Sequence, residues 1–327
     1  MTRFIVTGAK GFIGQRLCRI LAEHGGFVIG LSRQKYPLCG SVHQWVNIGA
    51  DFVGLERTWP RNTYGDCIIH LAARVHAIRD KVTDPLVAYR RTNVDGTLRM
   101  ARIAHNIGGY RFVFVSSIKA VAETDGGNPL KETDPPLPCD PYGLSKLEAE
   151  RALLQFGRDT GMEIVIVRSP LVYGPEVRAN FLKLMHAVAR SIPLPLGAIT
   201  AHRSMVFVDN LVHALMCCAI HPLAANQTFH VSDGRDLTLA ELIGILSRKF
   251  NVTMRLFSVP VPVLKAASWL AGHATLADRL VNSLQLDISH LIDQLGWHAP
   301  YSVEEGLLQT VLWYCTTYRK YNDLCRF

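Results

Sequence analysis

The 327-residue sequence contains no long hydrophobic run. The longest lies at about Ala214–Ile220, far short of the ~20 residues that a bilayer span needs. No signal-peptide pattern precedes the strand-like start Met1-Thr-Arg-Phe-Ile-Val, so the expected compartment is the cytosol. Internal repeats and low-complexity tracts are also absent, which excludes solenoids and large disordered regions. No two of the eight cysteines are spaced C-x-x-C, and several sit inside apolar runs. They read as reduced thiols, mostly core filler, and neither a disulfide framework nor a metal site is expected. The net charge of +8 comes without a run of five or six basic residues and without a basic stripe interleaved with aromatics. That pattern argues against a nucleic-acid partner. A mild basic excess either suits a diphosphate-bearing ligand or carries no meaning.

What is present is ample apolar material, 49% of residues, for one large domain and a smaller appendage. Short runs rich in Val, Ile and Phe read as buried strands at Phe4–Thr7, Phe27–Leu31, Cys67–Leu71, Phe112–Ser116 and Ile164–Arg168. Helix patterns alternate with them. Asp84-Pro85 and Asp140-Pro141 place an N-cap before a proline at the first helical position, with stops expected at Gly108-Gly109 and Gly161. Such alternation predicts an α/β fold: a Rossmann-type, doubly wound parallel sheet. Pro170, Pro175, Pro193 and Pro195 break up the chain beyond it. Further helices are expected at about Asp209–Ile220 and Leu239–Lys249, and a last one after Ser302. Thr238-Leu-Ala-Glu241 and Ser302-Val-Glu-Glu305 are capping boxes. The expected division is a dinucleotide-binding domain over residues 1–171, with 205–232 returning to it. A smaller, discontinuous substrate-binding lobe takes 172–204 and 233–327.

Thr7-Gly8-Ala9-Lys10-Gly11-Phe12-Ile13-Gly14 follows the first strand and opens a helix. Gly8, Gly11 and Gly14 meet the demands of a tight turn, close backbone approach to a pyrophosphate and close helix–strand packing. The helix N-terminus, with Phe12 and Ile13 in its first turn, offers amide N–H groups to the anion. After the second strand the chain lacks the carboxylate that would bind a free ribose 2′-hydroxyl. It has Ser32-Arg33, which suits a 2′-phosphate and favours NADP over NAD. Arg33 alternatively stacks on adenine or faces solvent. Asp51 is a candidate partner for the adenine amino group.

Tyr142-Gly-Leu-Ser-Lys146 places a phenol and an ammonium four apart, on one face near the start of a helix. A phenol titrates near ~10 in water, and a neighbouring ammonium lowers that value. The pair is therefore equipped to give or take a carbinol proton while hydride moves at the same carbon. Ser117, at the carboxyl end of a strand, would polarise the reacting oxygen, with Ser116 as its competitor.

These segments together resemble the extended short-chain dehydrogenase/reductases of the nucleotide-sugar epimerase/dehydratase group. The matching stretches are Thr7–Gly14, His70-Leu-Ala-Ala73, Asn93-Val-Asp-Gly-Thr97, Ser116-Ser117, Tyr142–Lys146 and Arg168-Ser-Pro-Leu-Val-Tyr-Gly-Pro175. The resemblance covers about residues 1–235. It implies Ser117, Tyr142 and Lys146 as the catalytic set, with Lys146 also holding the nicotinamide ribose. It places Leu71, Ala72 and Ala73 beside the cofactor, while His70 reads as a packed core histidine. Asn93 is implied to brace the site near the cofactor, or is a helix-surface amide. Pro170 would lie near the nicotinamide, or is a helix breaker. Asn180 and Arg203 are implied substrate contacts, Arg203 as a clamp on a nucleotide diphosphate or as an ion pair with Asp209. Arg279 is a further substrate candidate without a motif.

Ser116-Ser-Ile-Lys119 and Pro193-Leu-Pro-Leu-Gly197 resemble a narrower branch acting on UDP-linked N-acetylated or 6-deoxy hexoses in surface-polysaccharide synthesis. Lys119-Ala120-Val121-Ala122 departs from the V-Y-G segment of many epimerases. With the missing carboxylate after strand two, this favours an NADPH-dependent 4-keto sugar reductase, with a UDP-sugar 4-epimerase as the alternative. No dehydratase-type Asp-Glu pair follows Ser117. A dinucleotide-binding sensor without catalysis would not need Ser117, Tyr142 and Lys146 together. The resemblance also implies a homodimer.

Overall fold

The computed structural model describes residues 1–33, 40–75, 84–270, 278 and 280–318. Eleven strands among them are β1 (Arg3–Thr7), β2 (Phe27–Ser32), β3 (Gln44–Asn47), β4 (Cys67–His70), β5 (Arg111–Ser117), β6 (Glu163–Ser169), β7 (Leu171–Tyr173), β8 (His202–Arg203), β9 (Met205–Phe207), β10 (Thr228–His230) and β11 (Leu237–Thr238). Seven form one sheet in the order β10-β6-β5-β4-β1-β2-β3, and every pairing in it is parallel. All their carboxyl ends thus lie along one edge, where ligands of doubly wound sheets bind.

Both faces of the sheet are covered, which is why its central strands are nearly unbroken apolar runs. On one face, Leu17, Cys18 and Leu21 of the helix Phe12–Glu23 pack with Leu211, Val212 and Leu215 of the helix Val208–Ile220. On the other, Met100 and Ala104 of the helix Thr97–Asn106 pack with Ala149 and Leu153 of the helix Pro141–Thr160. A second core joins the helices Ala179–Ala189, Leu239–Lys249 and Val303–Thr317 through Phe181, Met185, Leu242, Leu246, Leu307 and Tyr314. Phe12 and Ile13 pack against this second core, so it abuts the glycine turn.

Both capping boxes form, and Gly161 ends its helix in the left-handed conformation. The helix after Asp84 is not uniform as expected. Pro85–Arg90 passes through a wide π turn, Arg91–Gly96, before continuing as Thr97–Asn106. One cysteine also departs from expectation: Cys315 is disulfide-bonded, whereas Cys67, Cys139, Cys217 and Cys218 are free. Spacing along a sequence does not reveal which sulfurs approach within bonding geometry.

Candidate active site

The chain leaves β1 at Thr7 and turns through the three glycines. Gly8 has φ +67°, and a Cβ there would lie 3.1 Å from the Ala72 nitrogen. A Cβ on Gly14 would lie 2.2 Å from the Gly8 carbonyl oxygen, so helix and turn touch backbone to backbone. Gly11 caps the helix without a side-chain bond, and the first turn holds no acidic residue. The first-turn amides, with the positive end of the helix dipole, make a cradle for an anion. A dinucleotide pyrophosphate fits this cradle.

Behind it lies a buried hydrogen-bond chain whose proton positions are fixed. The Thr7 hydroxyl accepts from the N–H groups of Leu71 (3.1 Å) and Ala72 (3.0 Å), so its own proton goes to His70 Nδ1 (3.0 Å). The Thr97 hydroxyl donates to the Asn93 carbonyl (2.7 Å) and therefore accepts from His70 Nε2 (3.1 Å). His70 is thus a neutral core ring pinning Leu71–Ala73 against the glycine turn. Burial, helped by the Lys146 charge, pushes it down to about 3. Asn93 braces the next residue: its amide accepts from the Arg74 N–H, donates to the Arg74 carbonyl and donates to the Ser145 hydroxyl. The π turn delivers Asn93 to this buried position.

Ser117 and Tyr142 meet at the carboxyl end of β5, and Lys146 follows one turn after Tyr142 on the same helix. The Ser117 side chain is hydrogen-bonded to the Tyr142 phenol and accepts from the Lys119 N–H at 3.3 Å. Ser116 is turned away: its hydroxyl donates to buried Glu150. Burial drives the phenol up to about 12, against the Ser117 hydrogen bond and with help from the charges of Asp140 and Tyr89. Lys146 does not act on the phenol as expected. Its ammonium donates to the Val115 carbonyl (2.7 Å) and lies 3.9 Å from the Phe114 ring centre. Burial pulls it down to about 7, and the Glu150 carboxylate opposes that fall.

Asp140 caps the helix as expected, accepting from the Gly143 N–H (2.7 Å). Three supports went unread in the sequence. Lys119 Nζ bridges Asp140 (2.5 Å) and Glu123 (2.7 Å). A Cβ on Gly143 would sit 2.2 Å from the Lys119 carbonyl oxygen. A glycine inside a helix start, where it costs stability, was the available signal. One turn past Lys146, Glu150 receives a forked bond from Arg168 of β6.

The remaining candidates lie as follows. Ser32 is buried at the end of β2 and Arg33 is exposed beside it. The Asp51 carboxylate binds Thr92 (2.7 Å) and Arg91 (3.0 Å). Pro170 is buried directly after β6, and Asn180 is exposed in the first turn of its helix. Arg203 is half-buried and donates to the Asn282 carbonyl (2.9 Å). Asp209 is not its partner, because Arg16 holds that carboxylate with two bonds, 2.8 and 2.6 Å. Arg279 lies outside the described residues.

Two expected results follow from this geometry. Gly143→Ala must push the Lys119 carbonyl and with it Ser117 away from Tyr142. Displacements near 1 Å cost on the order of 10²-fold in rate, so kcat is expected to fall that far while cofactor affinity, measured by titration, holds. Separately, His70 and His230, the latter lowered to about 4 by burial and the Arg168 charge, stay neutral in the fold. Unfolded, both bind protons near ~6.5, so the unfolded state gains protons first as pH falls. Stability is therefore lost from about pH 6.5 downward. The urea midpoint should be lower at about pH 5 than at about pH 7; an equal midpoint would refute neutral burial of these rings.

Residues 4–232 match the NAD dependent epimerase/dehydratase family. The chain belongs to that family. It is 39% identical over 309 residues to a UDP-glucose 4-epimerase of Vibrio cholerae, covering 94% of this chain and 93% of the relative. A GDP-6-deoxy-D-mannose reductase of Pseudomonas aeruginosa is 26% identical over 84% of this chain and 90% of its own. The crystal structure of a UDP-glucose 4-epimerase from Thermotoga maritima with UDP-glucose superposes with a TM-score of 0.77. It is 24% identical, covers 97% of this chain and 100% of its own, and shows the shared fold. The protein is thus an enzyme of the nucleotide-sugar epimerase, dehydratase and reductase kind.

Proposed function

We propose that this family member is a 4-epimerase of a UDP-linked hexose, working with bound NAD. The observation that carries this reading is the 39% identity to the Vibrio cholerae UDP-glucose 4-epimerase across nearly the whole of both chains. It moves the balance away from the 4-keto reductase favoured by the sequence. The Ser117–Tyr142 contact, at the same carboxyl edge of the parallel sheet as the glycine turn, is in keeping with it. The nicotinamide, when bound, supplies reversible hydride transfer at C4. Ser117 orients the C4 oxygen through its hydroxyl, and Tyr142 takes up and returns the proton of that oxygen. Lys146 supplies a positive charge at the inner end of the site. We assign the sugar nucleotide to the second core, with Asn180 and Arg203 among its contacts.

A reductase remains the second reading because Ser32-Arg33, without a carboxylate, ends β2. One experiment separates the two. Purified enzyme is given UDP-glucose without added nucleotide cofactor, and UDP-galactose is followed by NMR. Turnover under those conditions supports the epimerase. No turnover, together with NADPH consumption on a UDP-4-keto sugar, overturns it in favour of the reductase. In that case Arg33→Ala should weaken NADPH binding and leave NADH binding unchanged.

A further inference from the structure

The helix Val261–Leu270 is oriented against the usual rule for surface helices. None of its ten residues is buried. Val261, Leu264 and Ser268, spaced along one stripe, are half-buried and face the protein. The opposite face carries Val263 (55% exposed), Ala266, Ala267, Trp269 (71%) and Leu270 (78%). A soluble helix normally turns its apolar stripe inward. Here the outward face holds the larger apolar side chains, and the inward face includes a serine. Met254 (47%) and Phe257 (50%), just before the helix, are also exposed. This is not a loose tail. Leu194 and Phe257 exchange backbone hydrogen bonds with the segment and its neighbour: Leu194 donates to Arg255, Phe257 donates to Leu194, and Gly197 donates to Phe257.

Charge identifies the occupant. Residues 242–277 contain Arg248, Lys249, Arg255 and Lys265 and no Asp or Glu. The Lys265 ammonium pairs with the carboxylate of Asp278, just beyond that stretch, at 2.9 Å. An apolar face with an aromatic at its end and a basic flank is the composition that settles at the boundary of an anionic bilayer. A second copy of the chain is the weaker fit. A ten-residue helix offers a strip of roughly 15 Å by 10 Å, far below the ~800 Å² per partner of a stable protein interface. Among the described residues no helix is long and apolar enough to cross a membrane, so the mode is lying on the surface.

We propose that the outward face of Val261–Leu270 docks the enzyme reversibly on an anionic lipid surface. The test uses the full chain and sedimentation with vesicles of phosphatidylcholine containing about a third phosphatidylglycerol, against pure phosphatidylcholine. Binding is expected to the anionic vesicles and to weaken with added salt. The double variant Trp269→Ser, Leu270→Ser should lose binding at least tenfold with an unchanged melting temperature, because both side chains are exposed. Absence of binding to anionic vesicles overturns the proposal, as does equal binding by the variant. So does a fall in oligomer mass of the variant in light scattering, which would assign the face to a second copy. None of these readouts requires the epimerase reading to hold.

Discussion

Tyr142→Phe is expected to fold, to bind NAD, and to turn over about 10²–10⁴-fold more slowly, the range for loss of a positioned general acid–base. The substitution removes one oxygen and leaves the ring, whose edge contact with Tyr89 at 5.9 Å persists. Its known protein partner is the Ser117 side chain, so the stability cost is that of one hydrogen bond, about 1 kcal/mol. Activity and stability therefore separate. Burial keeps the phenol protonated at neutral pH, which suits it to give a proton. To take one it needs nearby positive charge, which the oxidised nicotinamide would supply when bound. The acid limb of the wild-type pH–rate profile should vanish in the variant. Kinetics of C4 inversion and thermal melting with and without NAD check this. Wild-type turnover by the variant would remove Tyr142 from the chemistry.

Glu150→Gln is expected to show the largest stability loss of any conservative change near the site. Glu150 is 2% exposed and shares its carboxylate between Ser116 and the Arg168 guanidinium. Removing the charge but keeping the shape strands a buried cation, at about 3–5 kcal/mol. The double variant with Arg168→Met should recover much of that, because neither charge is then left alone. A second effect reaches Lys146. Glu150 is the charge that holds the Lys146 ammonium up against burial. Without it the ammonium loses its proton at lower pH than about 7, so any activity that needs the cation should shift toward acid. Chemical denaturation and the pH–rate profile read the two effects separately. An unchanged unfolding midpoint would mean that Arg168 finds another acceptor.

The parts of the fold carried by local chemistry were legible. Apolar runs located five strands of the sheet to within a residue or so, and glycine spacing located the tight turn between β1 and the helix Phe12–Glu23. β3 was not legible, because Gln44-Trp-Val-Asn47 offers only two apolar residues. The π turn was hidden because helix patterns do not distinguish an inserted wide turn from a regular one. At the site, Tyr142 and Lys146 were legible as a pair on one face. Which group each side chain meets was not, since helix spacing does not say that the ammonium finds the Val115 carbonyl. Pairings between distant segments were out of reach altogether. Glu150 with Arg168 joins a helix to a strand, and Arg16 with Asp209 joins two helices 193 positions apart.

The edge strand β10 has a consequence for synthesis. Thr228–His230 pairs with Ile166–Arg168 yet emerges from the ribosome well after β6. Until it arrives, β6 presents an unsatisfied Val- and Ile-rich margin, the kind of margin that recruits foreign strands. Nascent chains cut short before residue 228 should therefore aggregate or occupy chaperones, even though the glycine turn and Tyr142–Lys146 are already complete in them.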